Sequence, residues 1–255
     1  MIEYKIESKD NLLIKKIVKL AKDSSYRNEL GLAVIYGNHL VMEAIKYNIL
    51  DSLVVLESSI NKYREIFDKI HTTTPNILDK INLLDSDTDI VGVIKIASSK
   101  NVPKLYADKD YILLENVQDP GNLGTIMRVA KASGINSICL SKKCVDVYNP
   151  KVLRASQGLQ FGLDIFTNTD FIDFIKHYSG TIIATTPHTT QSVYSLDLTK
   201  PIAWVFGNEG VGISSEILDK INIQAKIPMN GDVESLNIAM AATICVFEMA
   251  RQRLC

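Results

Sequence analysis

Four short runs in the second half of the chain, YILL at 111–114, SICL at 137–140, TIIA at 181–184 and AWVF at 203–206, are almost wholly apolar. A strand apolar on both faces must be covered on both faces, which an all-parallel sheet flanked by helices achieves. Each run leads into a loop and often a helix, so the spacing predicts an α/β fold with a parallel sheet and helices on either side. In such sheets ligands gather beyond the carboxyl ends of the strands, and chemistry is expected in the residues just after each run.

The first half carries a fainter version of the same alternation. LAVI at 32–35, a helical pattern from His39 to Tyr47, LVVL at 53–56, an amphipathic stretch from Lys62 to Ile70 and VGVIKI at 91–96 follow one another. The polar, proline-containing segment that comes next reads as a linker. The predicted organisation is one domain over 1–98, a linker over 99–110 and a second domain over 111–255.

Three loops behind the second-half runs stand out. In the first, Asp119-Pro120-Gly121-Asn122-Leu123-Gly124 opens a helix that carries Arg128. Glycines let backbone approach a ligand, and a helix start offers unpaired N–H groups. Asn122 and Arg128 are six positions apart, about 240° around an ideal helix, although a loop position for Asn122 would free it from that arithmetic. The plainer alternative is that Asn122 caps the helix and Arg128 is a surface residue. In the second loop, Phe206 to Ser214, Gly207, Gly210 and Gly212 surround Glu209. This spacing fits neither a dinucleotide fingerprint nor a phosphate-binding P-loop, and a carboxylate there suits a cation or a guanidinium better than a phosphate. In the third, a strand over Ile223–Ile227 runs through Pro228, Met229, Asn230 and Gly231 to Glu234, Ser235, Leu236 and Asn237, then into an apolar helix. Ser235 reads as that helix's cap, and Asn237 as a polar residue at its entrance that needs a partner.

Taken together, NVQDPGNLGTIMRVAKASG at 116–134, FGNEGVGIS at 206–214 and IPMNGDVESLNIAMAATICVFEMARQR at 227–253 resemble the three motifs of the SpoU (TrmH-type) RNA ribose 2'-O-methyltransferases. The resemblance covers 111–253, with the motifs in the family's order and spacing. It implies a SPOUT-type catalytic domain whose C-terminal segment threads back into a deep trefoil knot, an arrangement that periodicity alone would not suggest. Residues 1–98 resemble, more faintly, the L30e-like substrate-binding domain that precedes it in many members. The stretch IYGNHL at 35–40 departs from the acidic residue and glycine more usual there.

Carried over position by position, the resemblance implies S-adenosylmethionine as methyl donor, with no metal. The donor lies against Gly207, Ile227, Met229 and Leu236, with Thr185 near its adenosine. It assigns the reaction centre to Asn122, Arg128, Glu209, Ser235 and Asn237. A guanidinium stays protonated in proteins, so Arg128 is expected to bind the phosphate beside the reacting ribose and stabilise the developing alkoxide rather than act as base. The run Asn149 to Gly158 also resembles a family segment, with Gln157 where a small residue is more usual, and Lys151 and Arg154 become candidate RNA contacts. A homodimer with its site at or near the subunit interface is implied as well.

Composition narrows the setting. A formal net charge of −1 argues against simple coating of nucleic acid, since non-specific phosphate binding scales with the cations presented. Charge is local instead: between Arg128 and Leu163 stand Arg128, Lys131, Lys142, Lys143, Lys151 and Arg154 against the single acid Asp146. This block could face a phosphate backbone or be a solvated helical face. Cys139, Cys144, Cys245 and Cys255 lack the spacing of a zinc knuckle or redox pair. The longest apolar stretch, Leu236 to Met249, is shorter than a membrane span and broken by Asn237, Thr243 and Glu248. With no signal-peptide pattern at the N-terminus, a cytoplasmic protein without a membrane partner is expected. Large-subunit ribosomal RNA is the expected substrate. Transfer RNA and a catalytically inactive RNA-binding relative are the alternatives, whereas a nucleotide-dependent oxidoreductase lacks its glycine spacing.

Overall fold

The computed structural model describes residues 2–84, 87–96, 109–231 and 233–254, leaving most of the expected linker at 99–110, together with Cys255, outside the described residues. The chain divides into two compact units, Met1–Ser98 with Asp146–Phe161, and Ser99–Val145 with Gly162–Cys255.

The first unit opens with β1 (Ile2–Ile6), α1 (Leu12–Lys22), α2 (Ser24–Leu30), β2 (Leu32–Tyr36), α3 (Asn38–Lys46), β3 (Leu50–Leu56), α4 (Ile60–Tyr63), β4 (Lys69–Thr73), α5 (Pro75–Ile81) and β5 (Ile90–Lys95). The second contains β6 (Tyr111–Leu114), α6 (Pro120–Ser133) and β7 (Ser137–Leu140). Helix α7 (Pro150–Ser156) belongs to the first unit, and β8 (Asp164–Phe166), α8 (Phe171–His177), β9 (Thr181–Thr185), β10 (Ile202–Phe206), α9 (Ser215–Leu218), β11 (Ile223–Ala225) and α10 (Ile238–Leu254) complete the second.

The sheet of the first unit has the order β1-β4-β3-β5-β2, parallel from β1 to β3, with β5 antiparallel to both of its neighbours. Its residues alternate between two cores, as the strand period of two requires. Val34, Val54, Val91 and Val93 pack with α1 and α5, whereas Ala33, Ile35, Leu53, Val55 and Ile94 pack with α3, α4 and Leu153 of α7. The amphipathic stretch 62–70 is not a helix. Its start belongs to the single turn α4 and its end to β4, where the β-branched residues of KIHTT fill the place between β1 and β3. Nothing in the reading of the sequence anticipated β1, α1, α2 or α5.

The segment 146–161 is fixed to the first unit by charge as well as by Leu153. Arg27, 2% exposed, donates from Nε to Asp146 Oδ2 at 2.7 Å and from Nη1 to the Leu20 carbonyl at 2.6 Å. His39 Nε2 lies 3.1 Å from the Gln157 carbonyl.

The sheet of the second unit is parallel throughout, in the order β11-β9-β10-β6-β7-β8, and its four central strands are the four apolar runs. Tyr111, Leu113, Ala203 and Val205 pack with Phe171 and Phe174 of α8 and Ile217 of α9. Ile112, Leu114, Trp204 and Phe206 alternate to the opposite face and are fully buried, and α6 and α10 pack against each other. Among the described residues no helix is long and apolar enough to cross a membrane.

Candidate active site

The polar residues of the second unit collect at the carboxyl edge of its parallel sheet. Strand β6 is followed by Glu115, which is 6% exposed and accepts the Ser214 amide at 2.8 Å. Asn116 follows in the left-handed region, with φ 56°. Its carbonyl accepts Asn208 Nδ2 at 2.9 Å, and Asn208 Oδ1 accepts the Gly210 and Val211 amides. The turn is closed by a pair of backbone hydrogen bonds between Asn208 and Gly212. A Cβ on Gly207 would lie 2.1 Å from the Gly212 carbonyl carbon and 2.2 Å from the Ile213 nitrogen, so only glycine fits.

Three side chains from the three motifs meet in a relay. Asn122 Nδ2 donates to Glu209 Oε1 at 2.6 Å, and Asn237 Nδ2 donates to Asn122 Oδ1 at 2.9 Å. Asn237 Oδ1 accepts the Ala239 and Met240 amides at 2.9 and 3.3 Å. An ionised carboxylate only accepts and helix-start amides only donate, so both asparagine amides have one permitted orientation.

Beside the relay lies a cleft of about 820 Å³, lined by 185–188, 206–213, 225–229 and 233–236 with a few flanking side chains. Thr185, Gly207, Ile227, Met229 and Leu236 all line it, as do Glu209 and Ser235. The Thr185 hydroxyl is spent on the Val205 carbonyl at 3.1 Å. Glu115, Asn116, Asn208 and the cleft residue His188 had been given no role. An acid at the end of a buried strand was the one available signal, since it demands a donor.

Two expectations about caps change. Helix α6 is capped by Asp119, whose Oδ1 accepts the Asn122 amide at 2.8 Å, so Asn122 lies inside the first turn and not in the loop. The helical arithmetic therefore applies: Arg128 sits about 9 Å along the axis from Asn122 and about 120° around it. Arg128 is exposed, makes no hydrogen bond or ion pair among the described residues, and is absent from the cleft wall. Helix α10 begins at Ile238, and its cap is Asn237, whose carboxamide reaches the second and third helical amides. Ser235 is exposed two residues before that cap.

In the first unit, Lys151 is exposed near the start of α7, which Asn149 caps, and Arg154 Nη1 donates to the Leu84 carbonyl at 3.1 Å. Among the described residues no cluster of three or more histidine, cysteine or acidic side chains is placed to hold a metal ion.

Known proteins resemble this chain in sequence and fold. An uncharacterized tRNA/rRNA methyltransferase of Synechocystis is 30% identical over 97% of this chain and 94% of its own. The 23S rRNA (guanosine(2553)-2'-O)-methyltransferase RlmP of Bacillus subtilis is 30% identical over 96% of this chain and 98% of its own. The crystal structure of an AdoMet-bound rRNA methyltransferase from Sinorhizobium meliloti superposes with a TM-score of 0.86 at 25% identity, covering 98% of each chain. That of an RNA 2'-O ribose methyltransferase gives 0.85 at 25% identity, over 98% of this chain and all of the other. The family model described as the SpoU rRNA Methylase family matches residues 109–247, and the chain belongs to that family.

Proposed function

We propose that the protein transfers the methyl group of S-adenosylmethionine to a ribose 2'-hydroxyl of large-subunit ribosomal RNA. The observation that carries this reading is the Glu209–Asn122–Asn237 relay at the rim of a cleft large enough for a nucleoside. The family, the Bacillus subtilis relative that acts on 23S rRNA and the AdoMet-bound relative support it.

The cleft suits the methyl donor. Ile227, Met229 and Leu236 offer apolar surface to an adenine, and the turn at Gly207 presents backbone where a side chain would clash. When bound, S-adenosylmethionine supplies a methyl group made electrophilic by its sulfonium. The relay then orients the two asparagine amides toward the ribose, so that binding supplies the alignment an in-line displacement needs. Ser235, unspent on the helix cap, lines the cleft as a second polar contact. Arg128 holds the neighbouring phosphate and stabilises the oxygen as its proton passes to phosphate or water.

Its position on α6, far around from Asn122, favours a homodimer in which Arg128 serves the cleft across the interface. Met240, Phe247 and Leu254 are exposed and seven positions apart on α10, which places them within about 40° of one another and makes this helix the interface we propose. We also assign the second unit a SPOUT knot, in keeping with a chain that reaches the sheet edge at β11 and returns with α10 against α6. The first unit takes the part of an L30e-like RNA-binding domain, with Lys151 and Arg154 as contacts, and the protein works in the cytoplasm.

Transfer of radiolabelled methyl from S-adenosylmethionine to unmodified large-subunit ribosomal RNA and to bulk transfer RNA, with Arg128→Ala beside the wild type, tests the reading. Label on ribosomal RNA, lost in the variant, is expected. Label on transfer RNA would move the substrate, and donor binding without label on either would remove the enzymatic reading.

A further inference from the structure

The basic block between Arg128 and Leu163 is divided between the two units. Lys131 donates to Asn136 Oδ1 at 3.1 Å and to the Gly162 carbonyl at 2.9 Å, and Lys151 and Arg154 belong to the first unit. What remains beside the active-site edge is the turn after β7, where Lys142 and Lys143 are adjacent and exposed. Neither has a hydrogen-bond or ion-pair partner among the described residues.

This turn is held far more firmly than a surface loop requires. The Ser141 amide donates to the Leu114 carbonyl at 3.1 Å, and the Ser141 hydroxyl both accepts the Asn116 amide at 2.9 Å and donates to Asn116 Oδ1 at 3.0 Å. Cys144 Sγ donates to the Leu114 carbonyl at 3.1 Å, and the Val145 amide to the Val117 carbonyl at 2.9 Å. The residue at the centre of this clamp, Asn116, also accepts the hydrogen bond from Asn208, the neighbour of Glu209. A hydrogen-bonded path thus runs from the lysine turn to the relay. Glu115 faces the Ser214 amide, Asp119 the Asn122 amide and Asp146 the Arg27 guanidinium, and among the described residues no acid forms an ion pair with Lys142 or Lys143.

We propose that Lys142 and Lys143 form a phosphate-binding turn for the RNA strand that carries the target ribose. The inference rests on the RNA-methylation reading and adds to it the place where the backbone is gripped. Two ammonium groups repel a sulfonium, so the turn serves the polyanionic substrate and not the methyl donor. The rigid backbone fixes the turn relative to the cleft, while the lysine stems leave it tolerant of sequence, as expected for contacts that position a strand without reading its bases.

The test uses the full chain as wild type, as the Lys142→Gln/Lys143→Gln double variant and as the Lys142→Arg/Lys143→Arg double variant. Methyl transfer to large-subunit RNA and binding of a fluorescent fragment of that RNA are both measured across a salt series. In the glutamine variant the RNA KM and Kd are expected to rise about tenfold, and the salt dependence of log Kd to flatten by about 1.4, roughly 0.7 per lost cation. kcat at saturating RNA and the affinity for S-adenosylmethionine stay near wild type, and the arginine variant restores RNA binding. Unchanged RNA affinity and salt dependence, or an equal loss of donor affinity, would overturn the proposal. A wild-type chain that binds RNA through the turn but methylates none would sink the enzymatic reading alone, and one that binds no RNA would sink both. Charge-dependent binding of an acidic protein in place of RNA would reassign the turn.

Discussion

The two sheets of this molecule spend their polar residues differently. In the first unit a buried charge ties one segment to another: Arg27 reaches Asp146 and the Leu20 carbonyl, and the result is a fixed chain path. In the second unit the polar residues sit at the carboxyl edge of a parallel sheet and satisfy one another, Glu209 to Asn122 to Asn237, beside an open cleft. A mixed sheet with helices on both faces can close on itself and bury its loops' polarity. An all-parallel sheet sends every strand end to the same edge, where loops from distant parts of the chain must meet and a site can be assembled.

The sharpest way to break the second arrangement without touching the first is Gly207→Ala. With a Cβ about 2 Å from backbone on the other side of the turn, the loop must open. Methyl transfer and donor binding are expected to fall to background, while hydrogen exchange of the buried strands in the first unit stays as in wild type. Donor affinity within threefold of wild type would show that the turn is not part of the donor site.

Glu209→Gln asks a narrower question, since the neutral amide can still accept from Asn122 but forfeits the charge-assisted bond and the single permitted amide orientation. A kcat lowered about 100-fold with donor affinity kept is expected. If Arg128 serves the cleft across a dimer interface, mixing Glu209→Gln chains with Arg128→Ala chains restores about a quarter of wild-type activity. Random exchange makes half the dimers mixed, each with one intact site. No recovery on mixing would return Arg128 to its own subunit's cleft.

The same comparison run through the first unit gives a stability effect in place of a catalytic one. Arg27→Ala strands Asp146 and removes the guanidinium's bonds from Nε and Nη2 to Asp146 and from Nη1 to the Leu20 carbonyl, and a loss of about 3 kcal/mol from the unfolding free energy of that unit is expected. Denaturant unfolding followed by probes in each unit checks it: donor affinity of the folded protein is unchanged, and a loss shared equally by both units would contradict the division.

Much of the second unit was legible because its strands are apolar on both faces and its loops carry glycine and proline at their turns. All four runs became central strands. The edge strand β8 has three residues, too few for a pattern to register, and the first unit's β4 puts Lys69 and His71 among its β-branched residues, so that its start merges with the amphipathic stretch 62–70. The placement of 146–161 was hidden for a different reason: α7 announces itself by Asn149 and Pro150, yet nothing local says that Leu153 is buried with Ala33 and Ile35. At the site, residue types were readable and partnerships were not. Asn122, Glu209 and Asn237 stand 87 and 28 positions apart, and only the sheet edge brings them into one relay.

The mildest probe concerns backbone conformation. In the cleft wall, the positive-φ position Gly212 is a glycine, whereas α7 in the first unit ends on Gln157, with φ 55°. A side chain in the left-handed region costs about 1 kcal/mol. Gln157 recovers part of this through its Nε2 bond to the Arg154 carbonyl at 2.8 Å, an exposed contact worth a few tenths. Gln157→Gly removes the strain and that bond together, and glycine's extra freedom in the unfolded chain takes back a further share. A net gain of about 0.3 kcal/mol in the first unit's stability is expected, seen as a slightly higher urea midpoint, with methyl transfer unchanged. The carbonyl of residue 157 that meets His39 is backbone and persists in the variant. A drop in stability would mean that the glutamine side chain, and not the αL turn, holds the end of α7 in place.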